Sequence, residues 1–590
     1  MKLSQRIKLS MEGLIQAIKR YPVTSLFLIL AAVVNGFSIQ RSGFDQYDRL
    51  LAACIIGALL GLAVQSIYER FFTDKTKRWL LAAGAVIITG LYYLTLLRSP
   101  DFSLIISVRT TVLVFALIVG FIWIPTIQSR FHLDQSFLIV FKGAFTSLFF
   151  GAVIMLGVSL IIAATDQLLF DVGYRTYPHG ANIIFVLFAP MYFLSLVPNY
   201  NAAPGVVEER LQWSRFLEVL VAYIIIPLVT VFTVILVLYI VTNIGDQFWT
   251  DNLLEPMLVT YSITVIFVYV LSGTLENKAA YQFHRIFPKV LVPIVLFQTV
   301  ASALKIQEEG LTHGRYFVIL YGIFAIISGV LFSIYKGKKN GMVALLLIVF
   351  SIISIMPPVD AFGVSRRSQI NQLESALVDN GMLMDGEIQR AGEISEEAQR
   401  IISSTTAYIY RMNYTEDISW IPENFDYYSD FEQVFGFTPS GLRGPIDGPV
   451  YRSFYRNQEV PMEIGNFDYM IQTAFSTTEG QNAGQESGSR AISFQEEAYT
   501  AGWEGTGETK GFYLRDSRDN QVLFIDINEI STRFEEIEAE NPEISQQQAA
   551  FSVTDNGKHM AVVLNFVDIH YQNDEPALNG DGYILIGDDS

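Results

Sequence analysis

The stretch GMVALLLIVFSIISIM (341–356), PPVDAFGVS (357–365) and RRSQINQLESALVDNGML (366–383) divides this 590-residue chain into two unlike halves. Its first segment is apolar, and the Pro357-Pro358 pair then ends the helix, because proline supplies no backbone N–H. In the third segment, apolar residues recur at helical spacing among charged and polar ones. The sequence therefore predicts a membrane-spanning half before this junction and a water-soluble domain after it.

Composition and charge support the same division. The chain is 51% hydrophobic with a mean hydropathy of +0.35, which is too apolar for one soluble globule. Residues 1–364 carry 26 Lys and Arg against 19 Asp and Glu, whereas residues 365–590 carry 14 against 39. A nucleic-acid partner is not expected, because phosphate binding requires a basic surface. The single cysteine, Cys54, is expected to be a small buried apolar residue, so no disulfide can form within the chain.

Eleven apolar runs are long enough to cross a hydrocarbon core about 30 Å thick. They lie at 22–39, 50–67, 79–97, 104–124, 137–163, 181–197, 217–242, 257–274, 289–305, 316–334 and 341–357. An odd number of spans places the two termini on opposite sides of the membrane. Residues 1–20 precede the first run and carry one apolar stripe, which predicts an amphipathic helix on the membrane surface rather than a signal peptide.

The loop charges predict the orientation of these spans. Cytoplasmic loops of membrane proteins carry an excess of Lys and Arg. Eighteen basic residues fall in the N-terminal segment and the loops on its side, whereas six fall in the alternate loops. The prediction is a cell-membrane protein with a cytoplasmic N-terminus and an extracellular acidic C-terminal domain.

The predicted fold class is a polytopic α-helical membrane protein with about 11 transmembrane helices, followed by a C-terminal extracytoplasmic α+β domain. The predicted regions are a cytoplasmic amphipathic helix (1–20), a transmembrane domain (21–358), a juxtamembrane helical region (359–465) and a strand-rich extracytoplasmic domain (466–590).

The tail is expected to place its helices before its sheet. Helices are predicted at 366–378, from Ser395 onward and near Ser429–Glu432, and strands from about Phe467. Further expectations are hairpins within 511–527 and 551–567, a mobile loop at 476–490, and a strand over Tyr583–Ile586 instead of the calcium loop that LNGDGYILIGDD (578–589) partly resembles.

Three segments carry a family resemblance. They are RFLEVLVAYIIIPLVTVFTVILVLY (215–239), EEGLTHGRYFVILYGI (308–323) and DAFGVSRRSQINQLESALVDNGML (360–383). These segments are similar to bacterial multi-pass membrane proteins of the DUF4153 type, and the resemblance extends over most of residues 20–410. It implies a multi-pass topology. It implies no catalytic residues, since no activity is assigned to the family.

Ionisable side chains within the predicted spans are candidate site residues, because burying a charge in lipid is costly. Arg109 lies about six residues into the fourth span, where a structural pair or snorkelling is favoured over a substrate contact. Arg315 stands at the start of the tenth span beside Tyr316 and shortly after Lys305. Its planar guanidinium suits bidentate binding of a lipid phosphate or of a carboxylate from the acidic tail, and docking of the tail is the favoured interpretation.

Asp45 and Asp48 in the first outer loop suggest a sharper hypothesis. Acidic residues in such a loop suit the metal or acid–base chemistry of a membrane transferase that uses a lipid-linked substrate. A solvated loop balanced by Arg41 and Arg49 is the favoured interpretation. No hydrolase triad, phosphate-binding glycine loop or zinc-protease helix is found, so no cofactor and no metal site are predicted.

The favoured function is a non-enzymatic scaffold, sensor or binding protein of the cell envelope that presents an acidic extracytoplasmic domain. Its expected partners are the lipid bilayer and an envelope protein, lipid or glycan on the outer face. Two alternatives remain, the lipid-linked transferase and a transporter. A transporter predicts internal repeats and helices broken near the middle of the membrane.

Overall fold

The computed structural model of the protein describes most of the chain. The described residues are 3–40, 45–98, 103–170, 172–201, 205–243, 254–384, 386–390, 394–422, 425–428, 430–439, 451–456, 461–462, 464–465, 467–477, 490–494, 497–504, 510–535, 543–555, 557–572 and 575–588. They divide into two compact units, Met1–Leu373 and Glu374–Ser590.

The first unit is helical. Its helices are α1 (Leu3–Arg20), α2 (Pro22–Gln40), α3 (Asp45–Phe71), α4 (Lys75–Leu97), α5 (Leu104–Trp123), α6 (Leu133–Leu168), α7 (Thr176–Ala181), α8 (Ala189–Leu196), α9 (Val206–Leu211), α10 (Arg215–Val219), α11 (Ile226–Asn243), α12 (Leu254–Leu271), α13 (Lys278–Glu309), α14 (His313–Tyr335), α15 (Asn340–Ile355) and α16 (Ala361–Asp379), the last of which crosses the boundary between the units. Two π-helical segments, Asn182–Phe188 and Leu220–Ile225, join α7 to α8 and α10 to α11.

Ten helices of the described residues are long and apolar enough to cross a membrane, and α15, with 16 residues, is a shorter apolar helix. Together they agree one by one with the eleven predicted runs, including the run at 181–197 that contains Pro190. Many of their large apolar side chains are exposed, such as Leu160 at 64% and Ile161 at 67%. Such surfaces are stable only in lipid, so the chain is a multi-pass membrane protein.

Close packing holds α13 against α14. A Cβ on Gly329 would lie 2.8 Å from Val292 Cγ2 and 3.2 Å from the Pro288 carbonyl oxygen, and a Cβ on Gly322 would lie 2.3 Å from Thr299 Oγ1. Small residues let two membrane helices approach this closely, since packing replaces the hydrophobic effect inside lipid. The α13–α14 pair is therefore a tightly packed part of the main buried cluster of the first unit.

The predicted amphipathic helix at 1–20 is formed as α1 and is tied to the bundle at its C-terminal end. Arg20 donates two hydrogen bonds to Glu69 of α3, at 2.8 and 2.7 Å, and one to the Val197 carbonyl at 2.7 Å. Arg78 of α4 donates to the Lys19 and Arg20 carbonyls at 2.9 Å. These side chains satisfy the carbonyls that the ends of α1 and α8 leave without helical partners.

The second unit is mixed α and β. Its helices after α16 are α17 (Glu396–Arg411), α18 (Phe431–Phe435), α19 (Ile527–Glu535) and α20 (Gln546–Ala549). Its strands are β1 (Leu383–Met384), β2 (Glu387–Ile388), β3 (Tyr451–Arg456), β4 (Tyr469–Ser476), β5 (Arg490–Phe494), β6 (Glu497–Glu504), β7 (Gly511–Asp516), β8 (Gln521–Asp526), β9 (Glu543–Ile544), β10 (Ala550–Asp555), β11 (Lys558–Gln572) and β12 (Glu575–Asp588).

Two larger sheets carry the core of this unit. One has the order β4-β12-β11-β3-β9 with β10 also paired to β11, and the other has the order β5-β6-β7-β8. All their pairs are antiparallel except β3 with β9. One buried cluster draws Phe454 and Ile584 from the first sheet, Phe512 from the second and Phe534 from α19. The α+β prediction for the tail is therefore confirmed.

Several details of the tail differ from the prediction. Strands begin before Phe467, because β1, β2 and β3 precede it, and β3 pairs with β11 through Phe454 opposite Val567. The hairpin expectations are confirmed by β7–β8 and β10–β11, and Tyr583–Ile586 lies within β12 instead of a calcium loop. Ser429 and most of the predicted mobile loop at 476–490 lie outside the described residues.

Gly582 provides a test of the register of β12. A Cβ at this position would lie 2.3 Å from the Val563 carbonyl oxygen and 2.8 Å from Leu564 Cα, and neither backbone atom can move without breaking the β11–β12 ladder. Gly582→Ala is expected to destabilise the second unit by about 2–3 kcal/mol. The measurement is resistance of the full-length protein to limited proteolysis across a urea series. Gln472→Ala, at an exposed position on β4, is the control, and equal resistance of the two variants would contradict the register.

Candidate functional site

Four of the six predicted site residues lie at one end of the first unit, which we call the junction end. It comprises the first two turns of α5, the first turn of α14, the last two turns of α13, and residues 359–372, which include the start of α16. Arg109, Lys305, Arg315 and Tyr316 all belong to it. Charged and polar side chains here lie against the ends of membrane-spanning helices.

A buried ion pair holds the start of α16. Arg109 Nη2 of α5 lies 2.5 Å from Asp360 Oδ2, and the Asp360 side chain is 1% exposed whereas that of Arg109 is 37% exposed. The Arg109 guanidinium also lies 5.9 Å from the centre of the Phe362 ring, which stacks on His313 at 5.3 Å. A carboxylate this deeply buried requires a paired charge. The structural pair that the sequence favoured for Arg109 is therefore formed, with Asp360 as its partner.

The turn between α13 and α14 packs directly against α16. Gly310 has a φ of +71°, a conformation that glycine adopts without strain, and its N–H caps the Ile306 carbonyl at the end of α13. A Cβ on Gly310 would lie 2.5 Å from Gln369 Nε2 of α16. The next residue, Leu311, donates its N–H to Ser368 Oγ at 3.0 Å. Glycine is favoured here because a side chain at this φ is strained and would displace the ends of the Gln369 and Gln372 side chains.

Arg315 and Tyr316 support the same turn. Arg315 Nη1 donates to the Gly310 carbonyl at 3.3 Å, and the Arg315 N–H is capped by Thr312 Oγ1 at 3.3 Å. The Tyr316 hydroxyl donates to the Val359 carbonyl at 2.6 Å, just before the Asp360 ion pair. Both residues therefore fix the backbone around the junction, and the docking of the acidic tail on Arg315 stays a prediction.

Lys305 is one of three buried polar side chains along α13, which together we call the buried stripe. Gln298, Ser302 and Lys305 are 1%, 2% and 6% exposed, and their spacing of four and three residues places them on one helical face. Ser302 Oγ donates to Glu255 Oε1 of α12 at 2.6 Å. Sequence reasoning missed Gln298, Ser302 and Glu255, although polar residues at this spacing inside an apolar run are a readable signal of a buried polar face.

Asp45 and Asp48 occupy a different position from the one predicted. Both lie in the first turn of α3 rather than in a loop, and the side chain of Asp48 is exposed. Acidic residues suit this position, since the first turn of a helix carries a partial positive charge. The helix α3 packs chiefly against α2, α4 and α5.

A Ser–His pair lies at the opposite end of the bundle. His284 Nε2 is 2.9 Å from Ser272 Oγ, next to an open groove of about 680 Å³ formed by residues 272–284. Ser272 is 1% exposed and donates its proton to the Val268 carbonyl at 2.6 Å, so it accepts from His284 and is not poised as a nucleophile. Asp134 nearby accepts from Asn340 at 2.9 Å. Across the described part of the chain, no group of three or more His, Cys, Asp or Glu is placed to hold a metal ion.

Comparison with known proteins agrees with the arrangement of the helices. A family model described as a domain of unknown function, DUF4153, matches residues 26–388, which is more than half of the chain. The chain belongs to the DUF4153 family. No curated protein and no solved structure matches the chain. The family resemblance drawn from the sequence is therefore confirmed.

The extent of the DUF4153 match coincides with the site. It includes every helix from α2 to α16 apart from the first residues of α2, and it ends at Ile388, the last residue of β2. The whole junction end therefore lies inside the DUF4153 domain, whereas the two larger sheets lie outside it. The buried ion pair and the glycine turn are features of the family's part of the chain.

The ion pair between Arg109 and Asp360 can be tested by a double-mutant cycle. Arg109→Met leaves the Asp360 carboxylate buried without its partner, and we expect a loss of about 2 kcal/mol, at the lower side of buried pairs because Arg109 is partly solvated. Arg109→Met with Asp360→Leu is expected to recover more than half of that loss. The measurement is the melting transition of full-length protein in lipid nanodiscs.

The matched control is Arg98→Met, an exposed arginine at the C-terminal end of α4. This variant is expected to melt like the unaltered protein. A double variant less stable than Arg109→Met alone would show that the pair does not carry the interaction.

Proposed function

We propose that this DUF4153 protein is a cell-envelope anchor that holds an acidic, non-enzymatic domain on the outer face of the membrane, where it binds or senses another envelope component. The observation that carries the proposal is the buried Arg109–Asp360 ion pair at the start of α16. The helix α16 is the element through which the chain passes from the first unit to the second, and the pair fixes the start of this helix on the membrane-spanning bundle.

The loop charges support the orientation. The loops on the side of the N-terminus, together with the N-terminal segment, hold eighteen of the basic residues outside the spans, whereas the alternate loops hold six. Ten long apolar helices and the shorter α15 give an odd number of crossings if all of them span the bilayer. With that number of crossings, the positive-inside rule supports a cytoplasmic N-terminus and a second unit on the outer side.

The charge of the second unit supports a binding role. Residues 374–590 carry 12 Lys and Arg against 39 Asp and Glu, a net charge of −27. Such a field repels anionic lipid headgroups and attracts cationic partners, and it accelerates their association at low salt. We therefore infer a partner with a basic surface, which fits an envelope protein better than an anionic lipid.

One observation favours a second candidate, a transporter. Two spans contain π-helical segments, at Asn182–Phe188 and Leu220–Ile225, and α13 carries the buried stripe of Gln298, Ser302 and Lys305. Irregular helices and buried polar side chains are typical of the substrate pathways of transporters.

Reporter fusions test the orientation on which the anchor proposal depends. A phosphatase that is active only outside the cytoplasm, fused after Ser590, is expected to be active. A fluorescent protein that matures only in the cytoplasm is expected to stay dark at the same position. The matched control is a fusion after Lys339, in the loop between α14 and α15, for which the two reporters are expected to give the opposite result. An inactive phosphatase and a bright fluorescent protein at Ser590 would overturn the proposal.

A further inference from the structure

Gln298 is a polar side chain buried inside the helical bundle. It is 1% exposed, and neither its Nε2 nor its Oε1 has a hydrogen-bond partner among the described residues. An unpaired amide at membrane depth destabilises the folded state, because lipid offers no hydrogen bonds in exchange. A buried amide without a partner among the described residues therefore favours a polar ligand beside Gln298.

Further polar side chains lie along α13 and on the helices α12 and α14 that pack against it. One turn along α13, Ser302 Oγ donates to Glu255 Oε1 of α12 at 2.6 Å. Farther along α12, Ser262 is fully buried, donates to the Val259 carbonyl at 2.8 Å, and hydrogen-bonds the Tyr321 hydroxyl of α14. The mutually packed helices α12, α13 and α14 therefore carry carboxylate, hydroxyl and carboxamide oxygens on buried or partly buried side chains.

We propose that Gln298, Ser302 and Glu255 form a binding site for a monovalent alkali cation, with Na⁺ as the preferred ion. The donors are hard oxygens, which suit an alkali or alkaline-earth ion and not a soft metal. Glu255 supplies the one carboxylate among these three side chains. Lys305, one turn beyond Ser302 on α13, is positively charged and disfavours a divalent ion. This site goes beyond the anchor function and does not depend on it.

The close packing of α13 against α14 limits the size of the ligand. A Cβ on Gly322 of α14 would lie 2.3 Å from Thr299 Oγ1, so α13 and α14 touch directly beside Gln298. A space enclosed by such close helices accommodates a single ion or water and not an organic solute. Between the alkali ions, close packing favours the smaller Na⁺ over K⁺.

A ligand that binds only the folded state raises the stability of that state, so Na⁺ can be tested by melting. Full-length protein in nanodiscs is heated while Na⁺ rises from about 5 to about 300 mM, with choline replacing it to keep the ionic strength constant. We expect the midpoint to rise by roughly 2–5 °C with Na⁺, and by less than about half of that with K⁺.

Variants of the ligating residues locate the effect. Gln298→Leu and Ser302→Ala are expected to retain less than about a quarter of the Na⁺ shift. Gln282→Leu, an exposed position on the same helix, is expected to retain all of it. Gln298→Leu alters the buried packing. If the Gln298→Leu protein does not fold, Ser302→Ala, which removes only one oxygen, decides the result.

Three outcomes would overturn the site. A midpoint that does not change as Na⁺ replaces choline shows that the protein binds no Na⁺, and a Na⁺ shift retained in Ser302→Ala places the ion elsewhere. The third is a Gln298→Leu protein that melts higher than the unaltered protein at every Na⁺ concentration, because it would show that Gln298 is only an unpaired amide.

Discussion

The carboxylate of Asp360 is the point on which the junction end depends. It is 1% exposed where the chain leaves the helical bundle, and a charge in that position is stable only beside Arg109. The pair joins α5 to the start of α16, two elements 251 residues apart in the sequence. Next to this pair, Ser368 and Gln369 of α16 lie against the α13–α14 turn. The backbone of that turn favours glycine at position 310. The long-range ion pair and the Gly310 turn thus both contact the first turns of the same segment, residues 360–369.

The helix α13 combines two demands that conflict in lipid. Its contact with α14 is close because glycines in α14 face Val292 and Thr299, and such a contact excludes water. The same helix carries Gln298, Ser302 and Lys305 on a buried face, and these side chains require polar partners. Natural sequences break local rules chiefly where function requires it. The buried stripe is therefore the part of the bundle that packing alone does not explain.

Run length and loop charge are local properties, which is why the sequence predicted the helices well. Each apolar run between polar loops became a helix, and α15 differs only by being shorter than the others. The partner of Arg109 could not be found in this way, since Asp360 stood in a loop-like segment after the proline pair. The strand β3 was missed for a similar reason, because its pairing with β11 joins Phe454 to a residue more than a hundred positions later. For the junction end, the sequence predicted individual charged residues but not the contacts that they make.

The proposed cation site and the Gly310 turn of the junction end share the helix α13. Lys305 lies just before the last turn of α13, and Gly310, which ends that helix, is in contact with Gln369 of α16. A ligand at Ser302 and Gln298 shifts the position of α16 only if it binds two arrangements of the α13 end with different affinity. The tight contacts of Gly310 and the Arg109–Asp360 pair favour one arrangement of this end. Coupling between an intramembrane ligand and the exit of the chain would therefore have to act through the last two turns of α13, which contain both Lys305 and the capped Ile306 carbonyl.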